Sequence, residues 1–122
     1  MTANGTSSMP RLIAVDWGTS RLRAWLVDAH GAPVATAASD EGIGTLDGGH
    51  EAVFERLVAD WPKLPAIMAG MVGSRQGWRE AVYLPCPAPA SAIGSQLTRF
   101  TTTTGRAVAI VPGLAVRPPN RD

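Results

Sequence analysis

The sequence predicts a mixed α/β domain in which three antiparallel strands are followed by an α-β-α-β succession. Two observations support this fold class. Apolar residues first occur in short runs or at alternating positions, as in strands, and after residue 50 they recur at helical spacing. The first three runs are separated by only a few residues, and such short connections join antiparallel neighbours.

The first three strands are short and closely spaced. Leu12–Val15 is almost wholly apolar, which favours a central strand covered on both faces. Leu22–Asp28 places Leu, Ala and Leu in alternation with Arg, Trp and Val, and Pro33–Ala38 begins with a proline where a missing donor matters least. The ordered part is expected to begin at Arg11, and four glycines between residues 42 and 49 predict a flexible loop after the meander.

The remaining elements alternate between helix and strand. His50–Trp61 carries its apolar residues on one helical face and is ended by Pro62. Ala66–Ala69 is a fourth apolar strand, expected to lie parallel to the first. Ala90–Phe100 predicts a short helix, and Ala107–Val111 a fifth strand. This order of elements is the layout of a ribonuclease-H-like half-domain.

Composition excludes several classes of protein. The 122 residues include 11 basic and 10 acidic side chains, so no charge excess marks a nucleic-acid or membrane partner. No apolar run approaches the roughly 18 residues needed to cross a bilayer. The lone Cys86 excludes an internal disulfide and a cysteine-built zinc site, and it fits a reducing compartment. We therefore expect a cytoplasmic protein that binds neither nucleic acid nor membranes.

The turn between the first two strands carries the first candidate site. Asp16 stands at the tip of a buried strand, where its carboxylate can hold Mg²⁺ directly or through water. Gly18 lets the backbone approach a phosphate, and the Thr19 and Ser20 hydroxyls and nearby N–H groups can surround its oxygens. The same residues are also compatible with a plain hairpin capped by an aspartate.

Several stretches resemble known families. Ile13–Arg23 (IAVDWGTSRLR) resembles the first phosphate-binding motif of the actin-like sugar kinases. Met68–Ala81 (MAGMVGSRQGWREA) and Tyr83–Ala88 (YLPCPA) resemble the 2-dehydro-3-deoxygalactonokinases, as does Ile110–Leu114 (IVPGL). Together the resemblance covers about residues 11–117.

The resemblance implies ATP and Mg²⁺ as cofactors, with the metal at Asp16. It implies an ATP-dependent kinase that phosphorylates 2-dehydro-3-deoxy-D-galactonate at its 6-hydroxyl during galactonate catabolism. Two alternatives stay open: a kinase of another sugar or sugar acid, and a non-catalytic sugar-binding or regulatory actin-like module. The cofactor-binding positions that the resemblance implies are Asp16, Gly18, Thr19, Ser20 and Arg23.

The polar and aromatic side chains of Met68–Ala81, together with Tyr83, are suited to binding a 2-dehydro-3-deoxy sugar acid. The Arg75 guanidinium can pair with its carboxylate through two parallel hydrogen bonds. Other side chains of this stretch offer hydrogen bonds to hydroxyls or an apolar wall for the sugar face. The alternative is a surface loop in which Trp78 packs on the core and Arg75 pairs with Glu80. The candidate substrate-binding residues are Ser74, Arg75, Gln76, Trp78, Glu80 and Tyr83.

Kinases that this chain resembles are considerably longer. We expect residues 1–10 to be a disordered tail, 11–116 to be the sugar-binding half of an actin-like kinase, and 117–122 to be an irregular tail. The C-terminal domain is then absent, together with the catalytic base, for which the sequence offers no candidate. We therefore expect an N-terminal fragment that is inactive alone, and that forms a homo-oligomer or joins a missing C-terminal half.

Overall fold

The structure, a computed structural model, describes residues 9–115, in which strands outnumber helices. The predicted mixed α/β class is confirmed. Two single-turn 3₁₀ helices, Ile43–Thr45 and Met71–Gly73, lie between the longer elements. The strands and α-helices in chain order are β1 (Pro10–Trp17), β2 (Leu22–Asp28), β3 (Pro33–Ser39), α1 (His50–Leu57), β4 (Ala66–Ala69), β5 (Tyr83–Pro85), α2 (Ala90–Ser95), β6 (Thr98–Thr101), β7 (Ala107–Ile110) and β8 (Gly113–Ala115).

Six strands form one sheet in the order β3-β2-β1-β4-β7-β6, and β5 pairs with β8 in a separate ribbon. The antiparallel meander β1–β2–β3 is confirmed, and so is the parallel pairing of β4 with β1. β7 is parallel to β4, and β6 is antiparallel to β7. The carboxyl ends of β1, β4 and β7 therefore meet at one edge of the sheet.

The core lies between one face of the sheet and α1. Side chains that alternate along β1 and β2 are buried there, and Trp17 and Phe54 are the largest fully buried ones. Trp61 packs against this core as the sequence predicts. Trp25 lies outside this core. Its neighbours in β2 face α1, so its indole lies half-buried on the opposite face, with the Arg23 guanidinium 5.8 Å from the ring centroid.

Two helix predictions need correction. The first helix ends at Leu57 rather than Trp61. Because a residue before proline is disfavoured in the α conformation, the chain leaves the helix in a turn ahead of Pro62. The helix expected over Ala90–Phe100 stops at Ser95, and Thr98–Thr101 pairs with β7 as an edge strand instead.

The α-β-α-β succession is therefore interrupted by three strands that the sequence analysis did not predict: β5, β6 and β8. β5 and β8 have three residues each, which is too short for a readable alternation. The glycine-rich loop also differs from expectation, because residues 43–45 form a 3₁₀ helix and are hydrogen-bonded to the β1–β2 turn.

The predicted tails fall largely outside the described residues. Residues 1–8 and 116–122 are not described, and β1 begins at Pro10, one residue before the expected start of the ordered part. The domain boundaries therefore stay predictions. Within the described part of the chain, no helix is long and apolar enough to cross a membrane.

Candidate functional site

A groove of about 420 Å³ opens at the edge where the three parallel strands end. Gly18 follows β1 there, Gly70 follows β4, and Val111 follows β7. Among residues 9–115, the side chains that line this groove are small or apolar, apart from one tyrosine, and none is charged. The lining residues are Gly18, Ala69, Gly70, Met71, Gly73, Tyr83, Val111, Pro112, Gly113 and Leu114.

Asp16 lies beside this edge, one residue before the end of β1. It is paired in register with Arg23 on β2 and Ala69 on β4. Its Oδ2 atom accepts a hydrogen bond of 2.6 Å from an Arg23 Nη atom, and the two side chains remain 44% and 50% exposed. Two of the predicted cofactor residues are thus in direct contact, and the carboxylate remains accessible to solvent.

The predicted phosphate turn is a tight connection between β1 and β2. The Gly18 N–H donates to the Arg21 carbonyl at 2.9 Å, and Thr19 and Ser20 are exposed. A Cβ atom at Gly18 would meet nothing within 4 Å. No atom of the described protein therefore requires a glycine there, and the space beside its backbone is open to a ligand.

A supporting loop, residues 41–45, packs against this turn. Ile43 N–H donates to the Gly18 carbonyl and Gly44 N–H to the Thr19 carbonyl, both at 2.8 Å. The Glu41 carbonyl accepts from the Trp17 indole at 3.0 Å. Sequence reasoning missed this role, although the close spacing of the glycines at positions 42 and 44 was a signal for close backbone approach.

The turn after β4 contacts the end of β1. Gly70 has φ +106°, and a Cβ there would lie 2.8 Å from the Trp17 carbonyl oxygen and 3.4 Å from Asp16 Oδ1. Both the backbone angle and the space therefore require glycine. The same turn contains Ser74, which is buried and whose hydroxyl donates to the Met71 carbonyl at 2.7 Å. That hydroxyl stabilises the turn rather than facing the groove.

Trp78 joins an aromatic cluster under this turn. Its ring centroid lies 5.1 Å from Phe100, 6.2 Å from Trp17 and 6.5 Å from His50, on which it is stacked. Trp78 therefore packs against the core, as the surface-loop alternative expected. His50 is the first residue of α1. Its Nε2 is buried and has no hydrogen-bond partner among residues 9–115, and burial lowers its pKa.

The other predicted substrate residues divide into two groups. Tyr83 lines the groove, with ring atoms 2.5–2.8 Å from the position of a Cβ at Gly113. Arg75, Gln76 and Glu80 are exposed and lie outside the lining. The described residues contain no ion pair between Arg75 and Glu80, so that part of the surface-loop alternative is not found.

The metal prediction depends on a single carboxylate. Within residues 9–115, no three His, Cys, Asp or Glu side chains cluster as a metal site. Asp16 alone can supply only one or two of the oxygen ligands that Mg²⁺ requires. The donor set therefore fits a metal ion that arrives with phosphate oxygens and water, and does not fit a metal held by the protein alone.

Comparison with known proteins gives one consistent result. The 2-keto-3-deoxy-galactonokinase family matches residues 16–122. The chain is 43% identical over 109 residues to the 2-dehydro-3-deoxygalactonokinase of Escherichia coli (strain K12), covering 87% of this chain and 36% of that protein. It is 41% identical over 108 residues to a Rhizobium meliloti (strain 1021) protein named "Probable 2-dehydro-3-deoxygalactonokinase DgoK1", covering 85% of this chain and 35% of that one.

A solved structure supports the same comparison. The crystal structure of a candidate 2-dehydro-3-deoxygalactonokinase from Sinorhizobium meliloti superposes with a TM-score of 0.76 at 40% identity. The match covers 88% of this chain and 36% of that one. The chain thus spans about a third of the length of the relatives it matches.

Proposed function

This chain belongs to the 2-keto-3-deoxy-galactonokinase family, and from that membership we propose that it forms part of an ATP-dependent kinase of 2-dehydro-3-deoxy-D-galactonate. The phosphoryl group goes to the 6-hydroxyl of the sugar acid. Residues 11–116 serve as the sugar-binding half of the enzyme, with a ribonuclease-H-like layout. The parallel strands β1, β4 and β7 and the antiparallel β1–β2–β3 meander support that layout.

One observation carries the proposal: the turn after β1 and the turn after β4 touch at a common groove. Gly70 packs against the Trp17 carbonyl, and Gly18 and Gly70 both line the groove. A ligand in this groove is therefore within reach of the Asp16 carboxylate and of the turn that follows it. In open α/β sheets, ligands bind beyond the carboxyl ends of parallel strands.

The nucleotide side of the proposal uses the β1–β2 turn. Mg²⁺-ATP, when bound, supplies the transferred phosphoryl group and neutralises part of its charge. Asp16 would hold the metal, and the open space at Gly18 would admit a phosphate close to the backbone. The exposed Thr19 and Ser20 hydroxyls would donate to phosphate oxygens. Arg23 would balance charge beside Asp16.

The sugar side is supported most directly at Tyr83. Its ring lines the groove and can form an apolar wall for the carbon chain of the substrate. The described residues of the groove lining carry no charge, so the substrate carboxylate would lie outside this lining, where Arg75 is exposed. Gln76 and Glu80 would read hydroxyls outside the lining as well, whereas Ser74 and Trp78 would hold the turn in shape.

The chain alone is proposed to be inactive. Phosphoryl transfer depends on positioning and on stabilising charge from both sides of the reacting groups. The described residues offer no cluster that would complete this arrangement around Asp16, and no base for the sugar hydroxyl is assigned. Activity is expected from a protein of the relatives' length.

Calorimetry tests whether the chain binds the sugar acid but does not catalyse the reaction alone. The chain is titrated separately with 2-dehydro-3-deoxygalactonate and with Mg²⁺-ATP, and ATP turnover is measured with both present. Binding of the sugar acid without turnover supports the proposal. No binding of either ligand, or ATP turnover by the chain alone, would contradict it.

A second titration tests the choice of substrate. Because Arg75 lies outside the groove lining, a kinase of another sugar remains the second candidate. If Arg75 binds the carboxylate of the substrate, Arg75→Gln weakens binding of the sugar acid but not of an uncharged sugar. Arg11→Gln, at the opposite end of β1, is the matched control and should change neither. Equal affinities for the acid and the uncharged sugar would favour the second candidate.

A further inference from the structure

The supporting loop (residues 41–45) contacts the candidate phosphate turn through its backbone. The hydrogen bonds from Ile43 N–H to the Gly18 carbonyl and from Gly44 N–H to the Thr19 carbonyl engage two consecutive carbonyl groups of the turn. The contact is close, because a Cβ at Gly42 would lie 2.3 Å from the Thr19 carbonyl oxygen and 2.5 Å from the Arg21 nitrogen.

These two hydrogen bonds determine the direction in which the neighbouring N–H groups of the turn point. In a planar trans peptide, the C=O of one residue and the N–H of the next point in opposite directions. Because the Gly18 and Thr19 carbonyls face the supporting loop, the N–H groups of Thr19 and Ser20 face away from it. Neither N–H donates to any acceptor among the described residues, whereas the Gly18 N–H is used within the turn.

We propose that the supporting loop is a positioning element that holds the Thr19 and Ser20 N–H groups ready to bind phosphate oxygens. This inference rests on the proposed function, and it adds residues 42–44, which do not touch the ligand themselves. Two adjacent N–H groups held in one orientation form an anion-binding concavity. Since their orientation is fixed before binding, little ordering is needed when the phosphate arrives.

The loop is itself tied to the rest of the fold. The Thr45 hydroxyl donates to the Gly42 carbonyl, and Arg56 of α1 pairs with the Glu41 carboxylate at 2.5 Å. Ile43 is buried in the core. The orientation of the turn is therefore coupled to α1 and the core, and does not depend on the turn residues alone.

Gly42→Ala is a sharp probe of this coupling. Gly42 has φ −72° and ψ 168°, a conformation that alanine adopts without strain, so the substitution acts only through the added methyl group. That methyl group cannot fit unless the supporting loop and the turn separate. Gly94→Ala is the matched control, because a Cβ there meets nothing within 4 Å.

The test titrates the isotope-labelled chain with sodium pyrophosphate and follows its amide resonances by NMR. We expect the Thr19 and Ser20 amides to shift and the Gly18 amide to shift less. In Gly42→Ala these shifts should require about tenfold more pyrophosphate or disappear, since hydrogen bonds to a charged group are lost. The resonances of core residues outside the supporting loop and its contacts should stay in place, and Gly94→Ala should bind as the unaltered chain does.

The outcomes separate the two proposals. Thr19 and Ser20 shifts that survive Gly42→Ala unchanged would overturn the positioning role and leave the phosphate site standing. No pyrophosphate-dependent shift in the unaltered chain would overturn both. If Gly42→Ala does not fold, scalar couplings across the two hydrogen bonds in the unaltered chain decide: their presence together with the amide shifts supports the positioning role, and their absence overturns it.

Discussion

The imidazole of His50 stacks on the indole of Trp78, with ring centroids 6.5 Å apart and 12° between the ring planes. The Trp17 ring contacts the same imidazole in a T-shaped arrangement, with centroids 5.9 Å apart and 67° between the ring planes. Trp17 immediately precedes the candidate phosphate turn, and Trp78 belongs to the turn after β4. His50 therefore contacts an aromatic side chain from each of the two segments beside the groove.

This packing predicts that acid weakens the fold near pH 6. Burial lowers the pKa of His50 below its usual value of 6.5, so the unfolded chain binds a proton before the folded one does. The contribution of His50 to the free energy of unfolding should therefore be at its maximum above about pH 6.5. It should decrease as the pH falls from there towards the lowered pKa of the folded state. Urea denaturation at a series of pH values measures it.

Two substitutions locate the source of that pH dependence. His50→Gln should flatten the curve in this window, whereas His30→Gln should leave it unchanged, because His30 is exposed and outside the aromatic cluster. Carboxylates with lowered pKa values, Asp28 and Glu51, titrate in a more acidic range and do not interfere. Persistence of the slope in His50→Gln would contradict the assignment.

Glycines at the site should divide into two kinds by their response to alanine. Gly18→Ala should change the free energy of unfolding by no more than about 0.5 kcal/mol, because its Cβ meets no atom within 4 Å. Gly77→Ala should cost about 2 kcal/mol or more, since its Cβ would lie 2.1 Å from the Val72 carbonyl oxygen. Thermal and urea denaturation measure both.

Although Gly18→Ala should have little effect on stability, it should affect ligand binding. Pyrophosphate binding should weaken in Gly18→Ala although the fold is intact, because the methyl group occupies the space proposed for a phosphate. A Gly18→Ala variant that is stable and binds pyrophosphate normally would show that this space is not used.

Local signals account for the parts of the fold that were predicted correctly. β2 and β4 were predicted with their observed bounds because alternation and apolar runs are visible within a few residues. β6 was missed because Thr98–Thr101 is a strand through its pairing with β7, a partner whose contact no local period reveals. At the site, the position of Asp16 followed from the strand end, but the burial of Ser74 and the inward packing of Trp78 depend on tertiary contacts.

Of the two ion pairs made by α1, the buried one should contribute more to the free energy of unfolding than the exposed one. Arg106 is 4% exposed, and its guanidinium donates to both Glu55 oxygens, at 2.7 and 2.9 Å. Glu55→Ala leaves this charge without its carboxylate partner and should cost about 3 kcal/mol. Arg56→Ala breaks the exposed pair with Glu41 and should cost less than about 1 kcal/mol. Similar losses in urea denaturation would contradict this ranking.

Asp16 and Arg23 provide the sharpest test of the metal assignment, because the two partners of one ion pair should respond in opposite directions. The pair is half-exposed, so losing it should cost less than about 1 kcal/mol whichever residue is changed. Asp16→Asn removes the proposed metal ligand, whereas Arg23→Gln removes a cation that would compete with the metal for the same carboxylate.

Mn²⁺ added with pyrophosphate serves as a paramagnetic substitute for Mg²⁺ and broadens the amide resonances of nearby residues. We expect broadening at Ala69 and Gly70, which flank the Asp16 carboxylate, in the unaltered chain. It should vanish in Asp16→Asn and persist or strengthen in Arg23→Gln. Since a purely structural ion pair would make both variants behave alike, equal loss of broadening in the two would remove Asp16 as the metal ligand.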